Sequence, residues 1–581
     1  MNWVSGSAVL EHMAAGGHRL AGRHYHLLRQ REDARLHCHF TPLEPLRGGQ
    51  LVVAEWLHGW PLTSPIYGDG WQMLQQWRGT LGQPQAVGRC GDAATFRLYE
   101  PAGLPRIYNL LLVDLGAAGV IGLALTSAEP VNGYFEIEGP WLRLVFDLNG
   151  IEFTPGIGIA LPSLLVVAGE SSAAVCDAIA AALPAPAFLP KAIGGWCSWY
   201  HYYAGVTAAD IDENLQQMAH DWPGLDYLLL DDGYQAEMGD WLEPSDRFDG
   251  GIGPLVARIH AAGKQPALWL APLIASGQSH LLRDHPDWFV QGDDGRPLAA
   301  ETVTYGGWRQ TPWYMLDGSH PAVCDHLRRL FARLRDEHDI RLFKLDALLW
   351  GALPFGRRHR PRLGAVGAYR AALQAIREGA GDALLIGCNA PMWPSLGLVD
   401  LMRIGDDVER SHERLVALAH ELAGRRWGHR RLWLADPDCL TLQDGAGQHA
   451  DAGDYRLHAA LAFAYAGVAI SGDRLASLGP QARRWLQQLL ALQAEGFDGV
   501  MLDPLSCGAN GRGQVAWGDG QLLLCWRSQG AEEGNWTLPL PSGDWCWHEL
   551  LRDLRGQGPC TLEGDMAAKA DGAVLLLRPR M

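Results

Sequence analysis

The alternation of apolar and polar positions changes texture twice along the chain. Up to about residue 185, short alternating runs such as 50–57, 94–99 and 141–146 are separated by Gly, Pro and Asn. Period-two alternation broken by turn residues predicts an antiparallel β-sandwich. A helical pattern follows over 171–182, and the Pro-rich stretch 183–190 reads as a linker. From about 505 onward the texture is strand-like again, at 521–526 and 572–577, which predicts a small C-terminal antiparallel β domain.

The middle of the chain reads differently. Apolar runs at 193–199, 227–230, 266–270, 342–345, 383–387, 401–404, 432–434 and 468–471 alternate with helical patterns. The helices are expected at 208–220, 253–262, 321–338, 367–379 and 411–422, among others. Buried strands alternating with crossover helices imply a parallel sheet, and eight such units over this length match a (β/α)8 TIM barrel. The predicted division is a β-sandwich over 1–185, a catalytic barrel over 191–495 and a C-terminal β domain over 500–581. A doubly wound open sheet is the competing topology.

Composition narrows the function classes. The chain has 581 residues with a formal net charge of −17, so general affinity for nucleic acid or an anionic membrane surface is not expected. The first twenty residues lack a basic segment leading into an apolar one, and no apolar run is long enough to span a membrane. The 11 Cys are odd in number, scattered and free of any C-x-x-C pair, which fits reduced thiols in the cytoplasm. His37-Cys38-His39 lacks a second ligand cluster and reads as strand surface. The 24 Trp outnumber both the 15 Tyr and the 13 Phe. Large rigid apolar faces suit either big cores or the stacking of flat ligands.

In a barrel of this kind the active site lies where the strands end at their C-terminal side. Strand 1 runs out into Trp196-Cys197-Ser198-Trp199, strand 2 into Asp231-Asp232-Gly233 and strand 3 into Trp269-Leu270-Ala271. Strand 4 ends in Lys344-Leu345-Asp346, strand 5 in Cys388-Asn389 and strand 6 in Arg403-Ile404-Gly405-Asp406-Asp407. Asp436-Pro437-Asp438 closes strand 7, and Gly472-Asp473 closes strand 8. One Asp after a strand is an ordinary helix cap, but carboxylates at five strand ends exceed what capping explains. A carboxylate-lined mouth with aromatic walls points to glycosidic bond chemistry, in which two carboxylates divide the work. Lys344 and Asp346 share a strand face, and an ammonium favours an ionised carboxylate, so Asp346 is the expected nucleophile. Asp406 and Asp407 both qualify as proton donor.

At these motifs the chain resembles glycoside hydrolase family 36, the bacterial α-galactosidases. The similarity lies in Gly195-Trp196-Cys197-Ser198-Trp199-Tyr200-His201, in Asp231-Asp232-Gly233-Tyr234 with Gly239-Asp240-Trp241, and in His285-Pro286-Asp287-Trp288. It continues through Phe343-Lys344-Leu345-Asp346, Met402-Arg403-Ile404-Gly405-Asp406-Asp407 and Trp433-Leu434-Ala435-Asp436-Pro437-Asp438-Cys439. The resemblance implies a retaining mechanism with a covalent glycosyl intermediate on Asp346. It aligns Asp407 with the acid/base, while Asp406 stands where the family usually has Pro. It further implies that Asp231 and Asp232 bind sugar hydroxyls, that Lys344, Cys388 and Arg403 contact the others, and that Trp199 and Trp269 wall the site. Trp71, in Gly70-Trp71-Gln72, resembles a family segment that brings a Trp over the mouth, in some cases from a neighbouring subunit.

Each of these residues also has a plainer reading. Asp231-Asp232-Gly233 suits a turn, Cys388 suits a packed core, and Asp436, Asp438 and Asp473 suit bonding to rim amides. The leading expectation is hydrolysis of terminal α-galactosides of the melibiose or raffinose type. The alternatives are an α-N-acetylgalactosaminidase, a raffinose-type galactosyltransferase and, more distantly, a non-catalytic sugar binder. The expected partner is a small oligosaccharide, a homo-oligomer is left open, and the chemistry calls for neither a cofactor nor a metal.

Overall fold

The computed structural model describes residues 19–21, 24–148, 150–184, 189–505, 510–528, 536–562 and 570–580. The first twenty residues (apart from the backbone of 19–20), half of the linker (185–188) and Cys507 lie outside them.

The N-terminal part is a 12-stranded antiparallel sheet. Its strand Ile107–Asp114 is buried along nearly its whole length because both faces are covered. Leu111 and Val113 enter a core shared with Leu36, Phe40, Phe135 and Phe146, which the sheet encloses. Leu110 and Leu112, one step out of phase, pack instead into the large core that continues into the barrel. The helix at Ser172–Ala180 lies on that second face, with Val175 and Ile179 inward.

Eight parallel strands then form the barrel: β1 Ile193–Cys197, β2 Tyr227–Leu230, β3 Gln265–Leu270, β4 Leu342–Leu345, β5 Leu384–Gly387, β6 Leu401–Arg403, β7 Leu434–Asp436 and β8 Val468–Ser471. They pair in sequence from β1 to β7, with β8 beside β1. Closure between β7 and β8 runs through Leu440, whose N–H donates to the Ile470 carbonyl at 2.7 Å and whose carbonyl accepts from Gly472 at 2.8 Å. The TIM-barrel expectation, flanked by β domains, is thus the observed fold.

Two boundaries differ from the sequence reading. β1 stops at Cys197, and Trp199 opens a short helix over Trp199–Tyr202. The strand is cut off because the Ser198 hydroxyl accepts the N–H of Asp231 at the end of the neighbouring strand. β7 lies two residues later than its apolar run, so Asp436 belongs to the strand itself. Leu432 and Trp433 are buried in a turn closed by Arg430 N–H donating to the Trp433 carbonyl at 2.7 Å. Their hydrophobicity reports burial there, not strand pairing.

The C-terminal part is a five-stranded antiparallel sheet running Asn510–Trp517, Gly520–Arg527, Asp571–Pro579, Trp545–Glu549, Leu554–Gln557 in spatial order. Trp526 and Trp545 are buried there, while Trp517 and Trp547 are half-buried.

A buried arginine is one of the links that fasten the N-terminal domain to the barrel. Arg425, at the end of the helix His412–Arg425, donates to Asp69 Oδ1 at 2.6 and 2.9 Å. It also donates to the carbonyls of Gln72 and Gln75 in the sandwich and of Ile404 in the barrel. Both Arg425 and Asp69 are buried, so removing one strands the other's charge away from water. Arg425→Ala is expected to lower stability by about 3–5 kcal/mol, measured by urea unfolding.

Candidate active site

The strand ends open into a cavity of about 380 Å³, within the common range for small-ligand pockets. Asp231, Asp232, Lys344, Asp346, Asp406 and Asp407 all line it, with Trp199 and Trp269 as aromatic walls. Charged groups of both signs facing flat apolar rings suit a neutral, hydroxyl-rich ligand.

Asp346 follows β4 directly. Its carboxylate accepts Asn389 Nδ2 at 2.7 Å, the Ala347 N–H at 2.7 Å and Trp269 Nε1 at 3.1 Å. Three donors converging on one carboxylate fix its position and orientation in the cavity. The donors are aimed by unusual backbone: Ala347 has φ +51° and Asn389 +42°. Left-handed conformations at residues other than glycine cost about 1–3 kcal/mol and collect at functional sites.

The structure changes the sequence argument about Lys344. Its Nζ donates to Asp231 Oδ2 at 2.8 Å, so the ammonium pairs with β2 across the barrel and not primarily with Asp346. Burial opposes its charge, but Asp231 and other nearby anions outweigh that and hold its pKa well above the ordinary lysine value. Asp231 also accepts the Asp232 N–H at 2.8 Å and the Cys197 thiol at 3.4 Å. Asp232 is gripped by Arg309, which donates from Nε at 2.6 Å and again through its second nitrogen. Gln235 Nε2 adds a donor at 2.7 Å and Trp308 Nε1 another at 3.5 Å.

Asp406 and Asp407, adjacent in sequence, have separate environments. Asp406 Oδ2 accepts Arg89 Nε at 2.8 Å and Arg414 Nη1 at 3.4 Å, while Oδ1 accepts the Asp407 N–H at 2.7 Å. Asp407 keeps a side chain 46% exposed in the cavity and accepts Arg403 Nη2 at 3.0 Å. Burial pushes its pKa up, yet Arg403 and Lys344 prevail and hold it below the usual carboxylate range.

Arg403, fully buried, also reaches Asp438 Oδ2 at 3.1 Å. Asp438 accepts the Tyr200 hydroxyl and, at 2.9 Å, the Val408 N–H. Burial, with the Asp407 charge nearby, lifts Asp438 to about 6 despite Arg403. Cys388 and Arg403 lie behind the cavity wall, with Arg403 Nη1 donating to Cys388 Sγ at 3.6 Å. Burial, then the charge of Asp346, pushes the Cys388 thiol well above its ordinary pKa, so it is a neutral group. Asp473 bonds the Leu442 N–H and Arg410 around the rim.

Trp71 does not lie over this mouth within the chain. It is buried beside Tyr108, where the sandwich meets the barrel, and its carbonyl accepts the Met392 N–H. The N-terminal domain instead supplies Leu74, Arg89, Cys90, Thr95 and Phe96 to the cavity. Phe96 stands edge-on to Trp350, which with Tyr305 and Trp308 completes the aromatic wall. None of these was singled out in the sequence. Trp308 and Trp350 sit in long loops, where spacing carries no period, although the dipeptide Trp308-Arg309 was available as a signal.

Among the described residues, Asp240, Glu243 and His280 are the one group with ligand atoms close enough to hold a metal. They stand apart from the cavity lining and already bond one another or backbone N–H groups. His37 is engaged with Ser163 at 2.7 Å on its strand, as an ordinary sheet residue is.

Comparison with known proteins agrees with this geometry. The Melibiase family model matches residues 192–348. Alpha-galactosidase 2 of Pediococcus pentosaceus is 26% identical over 171 residues, which cover 28% of this chain and 22% of that protein. An A type blood alpha-D-galactosamine galactosaminidase of Flavonifractor plautii is 29% identical over 203 residues, covering 30% and 18%. These matches therefore span less than a quarter of the relatives' own length. In fold, the α-galactosidase of Thermus thermophilus aligns with a TM-score of 0.62 at 24% identity, covering 80% of this chain and 94% of that one. The family 36 α-galactosidase AgaA of Geobacillus stearothermophilus aligns with a TM-score of 0.65 at 15% identity, covering 95% and 81%. The resemblance to the α-galactosidases of glycoside hydrolase family 36, carried first by the strand-end motifs, is thereby shown in both sequence and fold.

Proposed function

We propose that this chain is a glycoside hydrolase that releases terminal α-galactose from small oligosaccharides of the melibiose and raffinose type. The observation that carries the reading is one cavity holding two carboxylates in unlike settings. Asp346 is fixed by three neutral donors, while Asp407 keeps a half-exposed side chain in the cavity and accepts one hydrogen bond from Arg403. Solved relatives in complex with stachyose and raffinose support the substrate class.

Asp346 Oδ attacks the anomeric carbon as the glycosidic C–O bond breaks and Asp407 gives its proton to the departing oxygen. A water then enters, Asp407 takes its proton, and the sugar–Asp346 bond breaks with the original anomer restored. A neutral sugar filling the cavity displaces water from Asp407 and so favours the protonated form the first step requires. Asp231, held by Lys344, faces the sugar as an acceptor for hydroxyls. An epimer that cannot donate to this carboxylate forfeits a charge-assisted hydrogen bond, a penalty of about tenfold to a hundredfold.

The test is release of nitrophenol and galactose from nitrophenyl α-galactoside, with the anomer of the first product read by NMR. α-Galactose as the initial product is expected; β-galactose would overturn the double displacement. A second reading, preference for a galactose that carries nitrogen at carbon 2, draws on the relative named an alpha-D-galactosamine galactosaminidase. Faster turnover of nitrophenyl α-N-acetylgalactosaminide would establish it in place of the first. No helix among the described residues is long and apolar enough to cross a membrane. The described cysteines are all free, which supports a reducing compartment such as the cytoplasm.

A further inference from the structure

We propose that Arg89, supplied by the N-terminal domain, is a positioning residue for Asp407 and acts through Asp406. The inference rests on Asp407 being the proton donor.

One chain of contacts links Arg89 to Asp407. Arg89 Nε donates to Asp406 Oδ2 at 2.8 Å, and the other oxygen of that carboxylate accepts the backbone N–H of Asp407 at 2.7 Å. Asp406 is therefore a bracket: one oxygen is anchored, and the other fixes where the Asp407 main chain sits. On the barrel side, Arg414 reaches Asp406 Oδ2 at 3.4 Å and also pairs with the buried Glu421. Glu421 in turn accepts the Asp406 N–H at 2.9 Å. The barrel thus supplies one anchor to the Asp406 carboxylate and one to its N–H, and Arg89 supplies the shorter carboxylate contact from another domain. A Pro at position 406 offers neither the acceptor nor the charge, so this bracket exists only because Asp stands there.

The path of the sandwich segment is built to deliver Arg89. Gly88 has φ +117°, and a Cβ there would stand 2.0 Å from the Leu74 carbonyl oxygen. Only glycine permits that close turn, which brings Arg89 to the cavity rim beside Leu74. The second arm of Arg89 pairs with Glu409, so the guanidinium spans the loop on both sides of Asp407. A planar fork holds two carboxylates at a fixed spacing, which an ammonium cannot do.

The function of this bracket separates by leaving group. A dinitrophenyl group departs without protonation, whereas the sugar oxygen of melibiose needs the acid in place. Misplacing Asp407 therefore penalises melibiose selectively. The measurement is the ratio of kcat/KM for dinitrophenyl α-galactoside to that for melibiose. Arg89→Ala is expected to raise this ratio about tenfold to a hundredfold, the scale of an acid displaced by about an ångström. Arg89→Lys should recover part of that change. Glu409→Gln, which loosens the other arm only, should move the ratio far less than Arg89→Ala.

Equal losses on both substrates in Arg89→Ala would show a merely structural role and overturn the proposal. A shift in Glu409→Gln as large as that in Arg89→Ala would overturn the route through Asp406. If the wild type releases no galactose, the proposed function falls separately, and a crystal structure of Arg89→Ala still decides the positioning claim. An Asp407 carboxylate that stays within about 0.5 Å of its place, the tolerance of a preorganised site, would refute it.

Discussion

Asp346→Ala is expected to lower kcat for α-galactosides by a factor on the order of 10⁴–10⁶, the scale seen when a covalent nucleophile is deleted. The loss should come without unfolding, because the side chain lines the cavity and its three donors can turn to water. Thermal melting of the variant provides the control. Added azide should restore slow turnover of a dinitrophenyl galactoside, since a small anion fits the space the carboxylate leaves. The product should be the β-galactosyl azide, because only one displacement now takes place. An α-azide would mean that another residue still forms the intermediate.

The second large effect belongs to Asp407. Asp407→Ala is expected to cost about 10²–10⁴-fold on melibiose, the usual contribution of a general acid. Dinitrophenyl galactoside should form the intermediate quickly and then stall, giving a burst followed by slow release. Azide should accelerate that release and yield the α-galactosyl azide, the product of two displacements. The opposite stereochemistry of the two rescues assigns both roles in one pair of experiments. If Asp406→Ala gives the burst and the α-azide while Asp407→Ala does not, the roles of the neighbours are exchanged. The structure argues against that exchange, because both Asp406 oxygens are already committed to Arg89, Arg414 and the Asp407 N–H.

The barrel was legible because strand and helix periods repeat, and its chemistry was legible because a barrel fixes where strands end. Reading those ends placed Asp231, Asp232, Lys344, Asp346, Asp406 and Asp407 at one cavity. The same reasoning misassigned the Lys344 partner, since facing along one strand says nothing of what stands across the barrel. There Asp231 is the nearer charge. Trp71 illustrates a different limit. Its motif was visible, but its location depends on how the sandwich folds back, and it ends in the domain seam. Arg89, Phe96 and Tyr305 had no sequence signal because they reach the cavity from loops with no periodic pattern. Arg309 is the instructive omission: a cation beside Trp308 in a barrel loop was a natural partner for an acidic strand end.

The sandwich segment that lines the cavity divides ownership of the substrate. The barrel supplies Asp346 and Asp407 to the cleft, while Arg89, Thr95 and Phe96 shape its other wall from the N-terminal domain. Substitutions at Thr95 or Phe96 can alter which molecule is accepted without disturbing the strands that carry out the reaction. Preference for a partner sugar is thus free to drift while the chemistry stays put. A barrel excised at residue 189 would lose that wall together with Arg89, the anchor of Asp406, and would leave the buried Arg425 without Asp69.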